Sequence, residues 1–152
     1  MECNNQQINK LDSLELFISS APNAIAMFDR EMCCIVVSRR WLSDYNLTEK
    51  EIIGRSYYEA FTDTPERLKE AHTKGLSGET LRKDEEQYEL KAGTLQWINW
   101  EIQPWHTLTG EIGGIIIFSE DITKYKVLEN ALSQSEQLFS NAFYYSPTGI
   151  AI

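Results

Sequence analysis

The second half of the chain contains the pattern that most restricts its fold. From position 95 to position 105 apolar and polar residues alternate, with Ile98, Trp100 and Ile102 at every second position. Such residues point to the same face of a β-strand, so the segment predicts a strand with one buried face. The run from Ile115 to Phe118 is apolar throughout, which is typical of a strand in the middle of a sheet.

The first half adds two strands and several helical segments. Residues 11–20 have apolar side chains at helical spacing, and apolar runs at 24–28 and 33–37 flank a polar turn, which predicts a β-hairpin. A helix is predicted from Pro65 to about Leu76. Two strands, short helices and three further strands, in this order, predict an α+β fold with an antiparallel sheet.

Charge and composition exclude several classes of function. Lys and Arg total 14 against 23 Asp and Glu, and the net charge of -9 opposes binding to nucleic acid or to an anionic membrane surface. The longest apolar run is far shorter than the roughly 18–20 residues of a membrane span. Three cysteines, Cys3 and the adjacent Cys33 and Cys34, form no disulfide framework, which favours a reducing, cytoplasmic compartment.

No signature of catalysis or of metal binding occurs in the sequence. A Gly-rich phosphate loop, a nucleophile elbow and a zinc-protease motif are all missing from it. Only two histidines, His72 and His106, are present, and adjacent cysteines lack the spacing of zinc ligands. We therefore expect this chain to be neither an enzyme nor a metal site.

The end of the chain departs from the rest. A heptad-like stripe predicts an amphipathic helix, and its members are Tyr125, Leu128, Leu132, Ser135, Phe139 and Ala142. Residues 146–152 then repeat the pattern of residues 21–27, with Pro, Ile and Ala in register. The repeat predicts one complete unit followed by the start of a second, and a chance match is the alternative.

Together these segments resemble the PAS domain of bacteria, with its PAC-type second half, over residues 11–125. The resemblance rests on WLSDYNLT at 41–48, IGRS at 53–56, LSGE at 76–79, WINWEIQPW at 97–105, GEIGGIIIF at 110–118 and DIT at 121–123. It implies a five-stranded antiparallel sheet in the order 2-1-5-4-3 with short helices over one face, flanked by N-terminal and C-terminal linker helices. It also implies four parts: a flexible start (1–10), the PAS/PAC domain (11–123), a signalling helix (124–145) and a truncated second repeat (146–152).

The resemblance implies a pocket between the sheet and the helices that senses a small ligand or a redox state. Its candidate lining consists of Met27, Cys34, Val36, Trp41, Tyr57, Phe61, Leu68, His72, Trp100, Ile102, Ile116 and Phe118. The same residues would equally form a packed core without a ligand, so a ligand-free dimerisation or spacer domain is the alternative. The ligand stays unidentified: the position of His72 does not fit the haem-sensor pattern, and the cysteine motif of flavin photoreceptors is missing.

The resemblance also implies a relay of signal through the end of the last strand. Asp121 or Thr123 is expected to cap the helix that follows, and the apolar stripe to pair with a second copy as a parallel homodimer. A helix that packs on its own domain is the alternative. Adjacent PAS domains and an output domain of histidine kinase or diguanylate cyclase type are the expected partners in the same chain. Trp97 and Trp105, opposite Trp100, predict a further interface with the N-terminal helix or a second protomer.

Overall fold

The computed structural model of the chain describes residues 12–89 and 93–145. The predicted flexible segment 1–10 and the predicted second repeat at 146–152 lie outside these residues and stay predictions. The described residues divide into two compact units. Unit 1 contains the residues up to Asp84 together with Asn99–Glu120, and unit 2 contains Glu85–Ile98 together with the residues from Asp121 onward.

Eleven helices and strands make up the described residues, five of them in one sheet. In chain order they are α1 (residues 12–19), β1 (Ala24–Asp29), β2 (Cys34–Val37), α2 (Arg39–Tyr45), α3 (Glu49–Ile52), α4 (Tyr57–Ala60), α5 (Glu66–Leu76), β3 (Leu81–Glu89), β4 (Leu95–His106), β5 (Ile112–Asp121) and α6 (Thr123–Tyr145). The sheet order is β2-β1-β5-β4-β3, which confirms the predicted topology. Strand β1 pairs antiparallel with both β2 and β5.

The inner face of the sheet in unit 1 is set by alternation along β1 and β5. Ala26 pairs with Ile117 and Phe28 pairs with Ile115, and all four are buried. The predicted lining took the alternate positions of β1 and β5, and Val36 of β2, as facing the core. This prediction is wrong for four residues, which are only half-buried: Met27, Val36, Ile116 and Phe118. In β5 the apolar run has no alternation, so its sequence does not show which parity points inward.

An irregularity in β2 explains the error at Val36. Met27 pairs with Val36, whereas Phe28 pairs with Cys34, so Ile35 is an extra residue without a partner on β1. A bulge of this kind changes the alternation of side chains along the strand. Val37 therefore joins Cys34 in the buried core, and Val36 lines a surface groove of about 350 Å³.

The side chain of Ser38 connects β1 to α2. Its fully buried hydroxyl accepts hydrogen bonds from the backbone N–H groups of Ile25 (2.9 Å) and Trp41 (3.2 Å) and donates one to the carbonyl of Asn23 (2.9 Å). The bond from Trp41 caps α2. One hydroxyl therefore satisfies two buried donors at once.

We expect Ser38→Ala to lower the free energy of unfolding by about 2–4 kcal/mol, because it removes the cap and leaves buried donors without partners. Urea unfolding monitored by circular dichroism measures the change. Ser56→Ala is the matched control, since Ser56 caps α4 through a single 3.3 Å bond from Tyr58. Its expected cost is about 1 kcal/mol or less. Equal losses in the two variants would contradict the linking role of Ser38.

Trp105 is covered by its own sheet. Its indole N–H donates to the carbonyl of Phe28 at 2.8 Å, and its ring lies against Gly113, where a Cβ atom would overlap it. The missing side chain of Gly113 therefore leaves the space that this ring occupies. These contacts leave Trp105 half-buried within unit 1. Its own sheet therefore covers part of the surface for which an interface was predicted.

Candidate functional site

The interior of unit 1 contains most of the predicted lining residues. Four belong to the buried core: Cys34, Trp41, Tyr57 and Ile102. Phe61 and Trp100 are partly buried and pack against that core, and His72 is fully buried on α5. Leu68 is half-buried one helical turn before His72. The structure therefore brings together Trp41, Tyr57 and Phe61 from the helical segments with Cys34, Trp100 and Ile102 from the strands. The four other strand positions differ from the prediction as described above.

An aromatic cluster fills this interior. The ring of Phe61 lies 4.6 Å from that of Tyr57, 5.2 Å from Tyr45 and 6.4 Å from Trp41, measured between centroids. Phe28 contacts both Tyr57 and Trp41, at 5.5 and 6.4 Å. Most of these contacts are edge-to-face, an arrangement that stabilises aromatic pairs beyond the area they bury.

The predicted lining omits two members of this cluster, Tyr45 and Phe28. Tyr45 lies one helical turn after Trp41 on α2, so its spacing could have assigned it to the same face. Its hydroxyl lies 2.8 Å from that of Ser119 on β5. Phe28 follows Met27 in a short apolar strand, and the choice between them depended on parity alone.

His72 is a titratable group that is fully buried in this interior. Its Nδ1 lies 2.9 Å from the hydroxyl of Tyr58, while its Nε2 has no hydrogen-bond partner among the described residues. Burial lowers the pKa of His72 to about 4, so the imidazole is neutral near pH 7. The indole Nε1–H of Trp41 is likewise buried without a partner in the described part of the chain.

The low pKa of His72 makes stability depend on pH. The unfolded chain takes up a proton near the ordinary pKa of about 6.5, whereas the folded chain does so only near 4. The unfolded state is therefore favoured as pH falls through this window, and we expect a loss of about 3 kcal/mol between about pH 6.5 and pH 4. Urea unfolding of the wild type and of His72→Gln between about pH 7.5 and pH 4.5 isolates this contribution as their difference. An identical pH dependence in the two proteins would contradict it.

Cys34 does not have the properties of a reactive thiol. It is buried in β2, and burial raises its pKa to about 12. A thiol with such a pKa is almost entirely protonated near neutral pH and is a poor nucleophile and metal ligand. Cys34 therefore acts as a small apolar residue of the core. Among the described residues, no three His, Cys, Asp or Glu side chains are grouped so that they could hold a metal ion.

Unit 2 contains the junction between the sheet and α6. The Asp121 carboxylate accepts the backbone N–H of Thr123 at 2.9 Å and its hydroxyl at 2.6 Å. The hydroxyl of Thr123 in turn accepts the backbone N–H of Trp97 on β4 at 2.9 Å, and the carbonyl of Trp97 accepts the N–H of Ile122, also at 2.9 Å. Gln96 donates to the second carboxylate oxygen of Asp121 at 2.9 Å. The first turn of α6 is thus bonded directly to β4.

Lys126 strengthens this junction from the first turns of α6. Its ammonium group lies 5.1 Å from the centroid of the Trp97 ring and 3.4 Å from the carboxylate of Glu85 on β3. Glu129, one turn further along α6, is 3.1 Å away and raises the pKa of Lys126. The lysine therefore covers Trp97, which the sequence analysis had expected a partner to cover.

Helix α6 exposes the predicted apolar stripe. Leu128 and Leu132 are each 61 % exposed, and Tyr125 and Phe139 are 64 % and 72 % exposed. Ser135 and Ala142, which complete the stripe, are also exposed. In the described ranges no helix is both long enough and apolar enough to cross a membrane.

Comparison with known proteins identifies the family. A family model described as the PAS fold matches residues 18–126, which include all five strands and the junction. The chain therefore belongs to the PAS family, and it contains the fold of a sensory and signalling module. No curated protein matches the chain.

Solved structures support the same fold. The PAS domain of BvgS from Bordetella pertussis is similar with a TM-score of 0.61 and 21% identity, over 85% of this chain and 98% of that one. A sensory box sensor histidine kinase from Vibrio cholerae gives 0.55 and 19% identity, over 81% and 98%. The VqmA dimer of Vibrio cholerae gives 0.58 and 18% identity, over 76% of this chain and 52% of that one. The chain thus spans about half the length of VqmA.

Proposed function

We propose that the chain is a sensory module that detects a small ligand in the interior of unit 1 and relays its state through α6 to an output domain. The observation that carries this proposal is the junction in unit 2. Asp121 and Thr123 bond the first turn of α6 to β4, and β4 and β5 continue from there into unit 1. A change in either strand can therefore act on the direction or stability of α6.

The apolar stripe of α6 supports pairing with a second copy of this chain. Its members recur at alternating steps of three and four residues, which is the spacing of a coiled-coil seam. At about 1.5 Å per residue the 23 residues of α6 extend about 35 Å, enough for several layers of contact. Identical stripes meet in register when two copies pair in parallel, so we propose a parallel homodimer.

Disulfide cross-linking tests this arrangement. In a background of Cys3→Ser, Cys33→Ser and Cys34→Ala, we expect Ala142→Cys, on the stripe, to form a disulfide-linked dimer on mild oxidation. Parallel pairing places the two introduced thiols opposite each other at the seam, where a small adjustment reaches the roughly 3.5–4.5 Å between Cβ atoms that a disulfide requires.

The control and the contradicting result follow from the helix geometry. Ser133→Cys lies off the stripe and should not cross-link under the same conditions. Antiparallel pairing would hold the two introduced thiols at position 142 far apart, since this position lies near one end of a long helix. Absence of the Ala142→Cys dimer, or equal yields at the two positions, would contradict the parallel homodimer.

The neighbouring structures support an output domain in the same protein. One is a sensor histidine kinase, so a histidine kinase or a diguanylate cyclase is the output that we propose. Two others are named as DNA-binding and RNA-binding receptors, whereas the net charge of -9 opposes such binding by this chain. We propose that the chain itself has no enzymatic activity and works in the cytoplasm.

A second candidate function is a ligand-free dimerisation or spacer domain. The contacts among Phe28, Trp41, Tyr57 and Phe61 favour it, because these rings already pack against one another. Native mass spectrometry and an absorbance scan of the purified chain distinguish the two. A bound small molecule or a Soret band supports sensing, and an apo mass with no thermal shift across a metabolite panel supports the spacer.

A further inference from the structure

A hydrogen bond between Tyr45 and Ser119 joins the last residue of α2 to β5. The two hydroxyl oxygens lie 2.8 Å apart, and Ser119 is 8 % exposed. Ile115 and Ile117 precede Ser119 at alternate positions of β5, and all three are buried on one face of the strand. An apolar residue would continue this row without the cost of burying a hydroxyl, so Ser119 is matched to its partner rather than to the core.

Ser119 is the point at which β5 leaves β1. It pairs with Ala24, the first residue of β1, and this is the last pair between the two strands in the direction of α6. Asp121, which is bonded to the first turn of α6, follows two residues later on the same strand. The Tyr45 hydroxyl therefore holds β5 immediately before the junction, where the strand no longer has β1 as its neighbour.

The ring of Tyr45 belongs to the aromatic cluster of unit 1. It lies 4.8 Å from the ring of Trp41 and 5.2 Å from that of Phe61, measured between centroids. A hydrogen bond depends on both distance and angle, whereas hydrophobic contact is non-directional. A displacement of the Tyr45 ring by its aromatic neighbours therefore acts on β5 chiefly through the bond to Ser119.

We propose that Tyr45 is a positioning residue of the relay, which transmits the arrangement of the aromatic cluster to the end of β5 through its hydrogen bond with Ser119. This inference rests on the proposed sensory function and names the residue that carries the signal out of the interior. The bond holds Ser119 and, with it, the end of the strand that leads into Asp121 and Thr123. Loss of the bond loosens the first turn of α6.

Amide hydrogen exchange at Ile122, Thr123 and Lys126 measures this effect, because their N–H groups are hydrogen-bonded at the junction. Tyr45→Phe keeps the ring and removes the hydroxyl, and Ser119→Ala removes its partner. We expect each variant to accelerate exchange at the three amides about fivefold, which corresponds to one hydrogen bond. The double variant should show the same acceleration as either single one, because the bond is already lost. Effects that multiply in the double variant would contradict an action through the bond.

Ser56→Ala is the matched control for a general loss of stability. It also removes one hydrogen bond in unit 1, from the backbone N–H of Tyr58, and that bond caps α4. Exchange at the three junction amides should stay at the wild-type rate in this variant. Unchanged exchange in both Tyr45→Phe and Ser119→Ala, or the same acceleration in Ser56→Ala, overturns the inference.

Phe61→Leu tests the step from the aromatic cluster to Tyr45. It removes the ring that contacts Tyr45 edge-to-face. We expect exchange at the junction amides to change about threefold or more when Tyr45 is present, and to stay unchanged when Phe61→Leu is added to Tyr45→Phe. An equal change in both backgrounds, or no change in either, would contradict the proposed path.

Thr123→Ala separates this inference from the proposed relay, because it removes the bond between α6 and β4 directly. Exchange that accelerates in Thr123→Ala but in neither Tyr45→Phe nor Ser119→Ala overturns the role of Tyr45 and leaves the relay in place. Exchange that stays at the wild-type rate in all three variants overturns both.

Discussion

Gly114→Ala is expected to lower the free energy of unfolding by about 3–5 kcal/mol, among the largest effects of any single substitution in this chain. A Cβ atom on Gly114 would overlap the carbonyl oxygen of Phe28 and would lie 2.8 Å from the Cα of Asp29. These are backbone atoms of β1, so no side chain can turn aside to make room. Strands β1 and β5 would have to separate where Asp29 pairs with Gly114.

Gly110→Ala is the matched control for this prediction. Gly110 also has a positive φ, of +89°, but a Cβ there would meet nothing within 4 Å. Its expected cost is only the conformational one, about 1–2 kcal/mol. Thermal or urea unfolding of both variants measures the difference. Equal losses would show that the close approach of β1 to Gly114 is not required for the sheet.

The second large effect concerns function. Asp121→Ala or Thr123→Ala is expected to uncouple an intact parent protein from its signal while the fold stays largely in place. Asp121→Ala removes the carboxylate that accepts the backbone N–H of Thr123, and Thr123→Ala removes the hydroxyl that accepts the N–H of Trp97 on β4. Each loss is expected to cost about 1–2 kcal/mol. Amide hydrogen exchange in the first turn of α6 should accelerate about tenfold, and the output activity of the parent should no longer respond.

Glu120→Ala serves as the control for the junction. Glu120 is exposed at the end of β5, directly before Asp121, and its substitution should change neither exchange nor output. Wild-type signalling in both Asp121→Ala and Thr123→Ala would refute the proposed role of the junction. Loss of signalling in all three variants would point to a general weakening of β5 instead.

The sheet was predictable from sequence because its strands carry distinct patterns. Alternation along β4 correctly placed Ile98, Trp100 and Ile102 on one face, and the order of elements predicted the antiparallel topology. The same reasoning failed at Ile116 and Phe118, because a strand that is apolar on both faces has no parity to read. It failed at Val36 because a bulge depends on the pairing of two strands, which one strand's sequence does not contain.

The polar groups of the interior and the junction were only partly predictable. His72 belonged to the predicted lining, and it is fully buried. Its bond to Tyr58 joins two different helices and has no signal in either segment. Lys126 was missed because it lies on α6 whereas its partners Glu85 and Trp97 lie on β3 and β4, far from it in sequence. Lysine in an amphipathic helix ordinarily indicates a solvated face.

The coupling between the interior and α6 is the central claim, and Gly75→Ala can test it without a ligand. A Cβ on Gly75 would lie 2.6 Å from the side chain of Ile102 on β4 and 3.0 Å from that of Ile115 on β5. It would therefore push on β4, which is bonded to the first turn of α6, and on β5, which leads into α6. The rate of disulfide formation at Ala142→Cys, in the cysteine background given above, reports the pairing of α6. We predict that Gly75→Ala changes this rate about fivefold or more, while Thr73→Ala, on the exposed face of α5, leaves it unchanged. The same rate in all three proteins, each confirmed as folded by circular dichroism, would contradict the account.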